Sequence, residues 1–77
     1  MKDVSIYSTP SCMYCRAAKE FFKENNIAYT EFDVSTDAAK REEMIQKSGQ
    51  MGVPVILIGG EMIIGFNRDK ISQALGI

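Results

Sequence analysis

Residues 9 to 16 of the chain read TPSCMYCR, which sets two thiols, Cys12 and Cys15, three positions apart. Such a pair serves three kinds of chemistry or packing. It can cycle between dithiol and disulfide, supply half of a tetrahedral metal site, or fill core space as two small apolar residues. The first use requires a reactive thiolate, and a thiol of ordinary pKa, about 8.5, is only a few per cent ionised at pH 7. The sequence contains no histidine. That removes Cys/His zinc sites and any histidine-activated nucleophile, so activation must come from backbone, hydroxyl or cation. A bond between residues so close would restrict little unfolded chain, which makes stapling a poor reason for the pair.

The elements that must position these thiols follow from local patterning. Val4 to Ser8 alternates, with Val4 and Ile6 on one face and Ser5 and Tyr7 on the other, and reads as a strand ending at Thr9-Pro10. From Met13 to about Glu24, Cys15, Ala18, Phe21 and Phe22 recur at helical spacing, while Arg16, Lys19, Glu20 and Lys23 face outward. The stretch IAYTEFDV reads as a second strand, and STDAAKREEMIQKSG as a mostly solvated helix closing at Gly49. VPVILI is apolar throughout and is expected as a strand covered on both faces. Gly59-Gly60 then turns the chain into EMIIGF as a hairpin, and Asn67 caps a short last helix carrying Ile71, Ala74 and Leu75. The order βαβαββα implies one parallel crossover and one antiparallel hairpin, hence an α/β fold with a four-stranded mixed sheet and helices on both faces.

At the junction of the first strand and first helix the two cysteines are not equivalent. Cys12 falls at the helix start, where free N–H groups and the helix dipole stabilise a thiolate; Cys15 lies one turn in, on the apolar side. Attack on a disulfide by Cys12, followed by displacement by Cys15, needs little else from the protein but access.

Composition limits the alternatives. Nine basic and ten acidic residues give a formal charge of -1, with the basic residues scattered, so a nucleic-acid role has no electrostatic support. The longest apolar run is far too short to span a bilayer and the opening residues lack a signal-peptide core, so no membrane association and a cytoplasmic location are expected. Seventy-seven residues suit a single domain, residues 1–77, expected to fold alone as a monomer.

The strand followed by TPSCMYCRAAKEFF, the GVPV that opens the third strand and the GGEMIIGF before the last helix together resemble a glutaredoxin-like redoxin of the thioredoxin superfamily. The likeness runs over essentially the whole chain, with three separated motifs in the expected order. It implies a thioredoxin-like fold and a thiol-disulfide oxidoreductase that reduces protein or glutathione mixed disulfides. By this resemblance Cys12 is the exposed nucleophile and Cys15 the resolving cysteine. Pro54 corresponds to the cis proline beside the active cysteine, Val53 to the residue whose backbone pairs with a substrate peptide, and Tyr14 to the tyrosine many glutaredoxins carry between their cysteines. Gly65, Phe66 and Asn67 correspond to the segment leading into the last helix, whose N-terminus receives the carboxylate of glutathione.

The resemblance implies no tightly bound cofactor, glutathione as co-substrate, and disulfide-containing proteins as substrates. Departures from the family pattern bear on the electron source. Met13 stands in place of the usual proline, STP in place of a basic residue before the loop, Gly52 in place of threonine, and Asn67-Arg68 in place of an acidic pair. Small redoxins of this type include hydrogen donors for ribonucleotide reductase that take electrons from thioredoxin reductase, so the sequence leaves glutathione and thioredoxin reductase both open. An iron-sulfur or zinc carrier using the same cysteines is the reading from a different class; it requires ligands from a second chain or exogenous thiols.

Overall fold

The computed structural model describes residues 3–77. Its elements run β1 (Val4–Ser8), α1 (Met13–Glu24), β2 (Thr30–Asp33), α2 (Ala38–Ser48), β3 (Val55–Ile58), β4 (Glu61–Ile64) and α3 (Arg68–Leu75). The expected βαβαββα order is present. The four strands form one sheet in the order β2-β1-β3-β4, with β1 parallel to β2 and antiparallel to β3. This is the thioredoxin-like mixed sheet.

Because side chains alternate across a strand, each of the two central strands contributes to two cores. Val4, Ile6, Ile56 and Ile58 point to one face, where Ala18, Phe21 and Phe22 of α1 and Ile71 and Ala74 of α3 cover them. Tyr7 and Val55 point to the other, where Met44 of α2 packs with Val34. Met44 is the buried residue of α2, so that helix is mostly solvated, as its composition suggests.

Three strands are shorter than their apolar runs suggest, each for a backbone reason. The second begins at Thr30 rather than Ile27, because the Ile27 N–H donates to the Phe22 carbonyl at 2.8 Å and stays with the end of α1. The third begins after Pro54, which has no N–H to give a ladder. The fourth stops at Ile64 because Gly65, at φ 82°, turns the chain and donates to the Pro54 carbonyl at 2.9 Å.

Registers fix which ends meet. Tyr7 lies opposite Val55 and Val55 opposite Ile64. The loop after β1, the segment before β3 and the segment after β4 therefore gather at one end of the sheet. Among the described residues no helix is long and apolar enough to cross a membrane.

Candidate active site

The cysteine loop is built by β1 ending at Ser8 and α1 starting at Met13. A turn closes the gap, in which the Cys12 N–H donates to the Thr9 carbonyl at 3.2 Å. Cys12 takes extended backbone angles and is the N-cap of α1, a position where a side-chain acceptor satisfies an otherwise free helical N–H. Here the acceptor is the nucleophile candidate itself: the Cys15 N–H points at Cys12 Sγ across 3.1 Å. Arg16 adds a tie from α1 to the loop, donating from Nη2 to the Pro10 carbonyl at 3.2 Å.

The two sulfurs differ as their positions predict. Cys12 is half-buried, whereas Cys15 is fully buried, 0% exposed. Burial pushes the Cys15 thiol up to about 12, with the hydrogen bond to the Cys12 sulfur acting in the same direction. The Thr9 backbone and the Lys19 ammonium act the other way. Both cysteines are free thiols.

The remaining expected site residues fall around this end of the sheet with different exposures. Tyr14 is 68% exposed, and Met13 beside it is more exposed still. The Val53–Pro54 peptide is cis, Pro54 is fully buried, and Val53 is half-buried against the Tyr7, Val34 and Met44 core. Gly65 joins Pro54 through the hydrogen bond already described. Phe66 is a core-rim residue: it packs edge-on to Phe21 of α1, with ring centroids 6.2 Å apart. Asn67 is occupied as the N-cap of α3, its Oδ1 accepting the Lys70 N–H at 3.1 Å.

Several charged groups are held by partners. Lys19 was expected to be solvated; instead its Nζ pairs with Glu31 Oε2 at 2.7 Å. The buried Ser8 hydroxyl donates to that same oxygen at 2.8 Å. Lys47 is held by Glu43 at 2.9 Å, and the Arg68 guanidinium lies over the Phe21 ring at 5.4 Å. The first two contacts join residues far apart in sequence, so only the fold could reveal them.

A β2-β1-β3-β4 sheet, a dithiol at the start of the first helix with one sulfur accessible and one buried, and a cis proline ahead of β3 define a thioredoxin-fold dithiol protein. The glutaredoxin family model matches residues 4–63. The chain belongs to the glutaredoxin family. It is 44% identical over 72 residues to an uncharacterized glutaredoxin-like 8.6 kDa protein in the rubredoxin operon of Clostridium pasteurianum, covering 94% of this chain and 96% of that one. It is 40% identical over 65 residues to glutaredoxin 3 of Escherichia coli K12, covering 84% and 78% of the two chains. The crystal structure of the thioredoxin-like protein BC3987 superposes with a TM-score of 0.87 at 39% identity, covering 94% of this chain and 99% of that one. Family and geometry together make the protein a thiol-disulfide oxidoreductase whose redox-active pair is Cys12 and Cys15.

Proposed function

We propose that the chain, working as a single domain, reduces protein disulfides and glutathione mixed disulfides by a two-step dithiol exchange, with glutathione as co-substrate. Cys12 attacks and Cys15 resolves. The observation that carries this division of labour is the asymmetry of the sulfurs: Cys12 is accessible and receives a backbone N–H, while Cys15 is buried and protonated. An N–H aimed at sulfur is the donor that a thiolate needs, and a protonated neighbour does not compete for the first disulfide.

In the first step the Cys12 thiolate attacks one sulfur of the substrate disulfide, and the other sulfur leaves as a thiolate. In the second, Cys15 displaces the remaining substrate sulfur from Cys12, leaving a Cys12–Cys15 disulfide and a fully reduced substrate. Tyr14, with its ring in solvent, and the Val53 backbone ahead of Pro54 are assigned to substrate contact. Gly65, Phe66 and Asn67 are assigned to orienting a glutathione carboxylate near the start of α3. A metal or cluster carrier using the same cysteines is the alternative reading, and it requires ligands from a second chain or exogenous thiols.

The test is trapping. Reduced Cys15→Ser protein mixed with a glutathionylated or disulfide-bonded protein should stop at a mixed disulfide on Cys12, and Cys12→Ser should form none. Disulfide reduction surviving in Cys12→Ser overturns the assignment. Recycling of the oxidised protein by glutathione plus its reductase supports glutathione as co-substrate, whereas recycling by thioredoxin reductase alone transfers that role to the flavoprotein.

A further inference from the structure

Ser8, the last residue of β1, is 1% exposed although it is polar. Its hydroxyl donates to Glu31 Oε2 of β2 at 2.8 Å, and Lys19 Nζ of α1 reaches the same oxygen at 2.7 Å. Three elements are thereby tied together at the end of β1 that leads into the cysteine loop. Lys19 follows Cys15 by one helical turn, so the two side chains share a helix face, and Cys15 lies buried on that face. A cation whose partner oxygen is itself held by the Ser8 hydroxyl is held there rather than left to sweep through solvent. The ammonium and the thiol act on each other: Lys19 lowers the Cys15 value and Cys15 raises that of Lys19.

We propose that Lys19, held by Glu31 and Ser8, is a positioning residue for the resolving step, its ammonium stabilising negative charge on Cys15 Sγ as that sulfur gives up its proton. The proposal rests on the assignment of Cys15 as the resolving cysteine. The step starts from a mixed disulfide between Cys12 and a substrate thiol. Cys15 loses its proton to water, its thiolate forms a bond to Cys12 Sγ, and the bond from Cys12 to the substrate sulfur breaks. The substrate leaves as a thiolate that takes a proton from solvent. The cysteine pair is oxidised and the substrate disulfide reduced, with no further oxidant or reductant. The groups that bear on the charge are Cys12 at the N-cap of α1, the Thr9 backbone, Lys19 on α1 and, through Lys19, Glu31 of β2 and Tyr29 before it, with Asp33 acting on Glu31.

Loss of the ammonium makes the thiolate rarer but intrinsically more nucleophilic. With a Brønsted slope of ~0.4–0.5, each tenfold drop in thiolate returns about threefold, so the net slowing is roughly threefold per tenfold drop.

The experiment is stopped-flow reaction of reduced protein with 5,5′-dithiobis(2-nitrobenzoate), whose first released thiolate reports attack by Cys12 and whose second reports resolution by Cys15. In Lys19→Gln, which keeps a donor for Glu31 but removes the charge, the first phase should be unchanged. The second should slow, by about threefold for each tenfold of thiolate lost, with its pH profile displaced to higher pH. Lys19→Arg should restore the second phase. Lys19→Met, which retains the apolar stem, provides the same reading if the glutamine variant does not fold. A second phase in Lys19→Gln or Lys19→Met as fast as in the parent overturns the proposal, as does equal slowing in Lys19→Arg. Release of both equivalents by Cys15→Ser is a separate failure, that of the resolving assignment itself.

Discussion

At the scale of single residues, two thiols three positions apart acquire different chemistry from burial and backbone. Cys12 caps a helix and meets solvent; Cys15 is sealed beneath it with its thiol pushed up to about 12. At neutral pH the reduced protein should therefore take up one equivalent of iodoacetamide on Cys12 while Cys15 stays unmodified until the protein is denatured, as peptide mass mapping would record. Equal labelling of both would contradict the burial. The pair and its unequal setting were legible in the sequence, because strand, loop and amphipathic helix are local patterns and the spacing fixes which cysteine comes first. Lys19 was not legible. Its partner Glu31 lies 12 positions away and Ser8 lies 23 positions from that same glutamate, so neither contact exists until β1 and β2 are parallel.

At the scale of elements, α2 is attached to the sheet by few apolar contacts, and a charge cluster supplements them. Glu43 accepts from Tyr7 of β1 at 3.0 Å and from Lys40 and Lys47 of its own helix at 3.0 and 2.9 Å. Hydrogen bonds from Lys47, then Lys40 and Tyr7, hold its carboxyl at about 2, against an ordinary 4.5. A depressed carboxyl adds stability that is complete above its unfolded value and is lost as pH falls towards its folded one. Thermal stability should thus decline between pH 4.5 and about 2, and Glu43→Gln should remove part of that decline. The check is a series of melting temperatures at constant ionic strength. At the start of the same helix, the Asp37 carboxylate accepts the Lys40 N–H at 3.0 Å, and Asp37→Ala should cost about 1 kcal/mol in urea denaturation. The terminal Gly49, at φ 74°, was readable from the sequence, whereas the cap was readable only as one of Ser35, Thr36 and Asp37. The partnership of Glu43 with Tyr7, 36 positions apart, was not.

At the scale of the whole molecule, a chain of 77 residues has little stability to spare, on the order of 4–11 kcal/mol. Phe22 is fully buried between α1 and the sheet, so Phe22→Ala should cost about 3–5 kcal/mol and bring the protein near its unfolding threshold. Tyr14→Ala, at an exposed position, should stay within about 0.5 kcal/mol of the parent while still altering substrate kinetics. The same urea titration checks both. The parallel β1–β2 pair and the antiparallel β3–β4 hairpin followed from the βαβαββα sequence, but the β1–β3 pairing and the strand ends did not: the Ile27 and Gly65 N–H groups spent on the Phe22 and Pro54 carbonyls, and the N–H that Pro54 lacks, cut three apolar runs short. The cap on α1 carries one consequence for how the molecule could be watched. Its acceptor is the atom that reacts, and a disulfide sulfur accepts a hydrogen bond less well than a thiolate. The Cys15 amide is therefore a native reporter of catalytic state, and its proton resonance should move upfield, with faster solvent exchange, each time Cys12 is occupied.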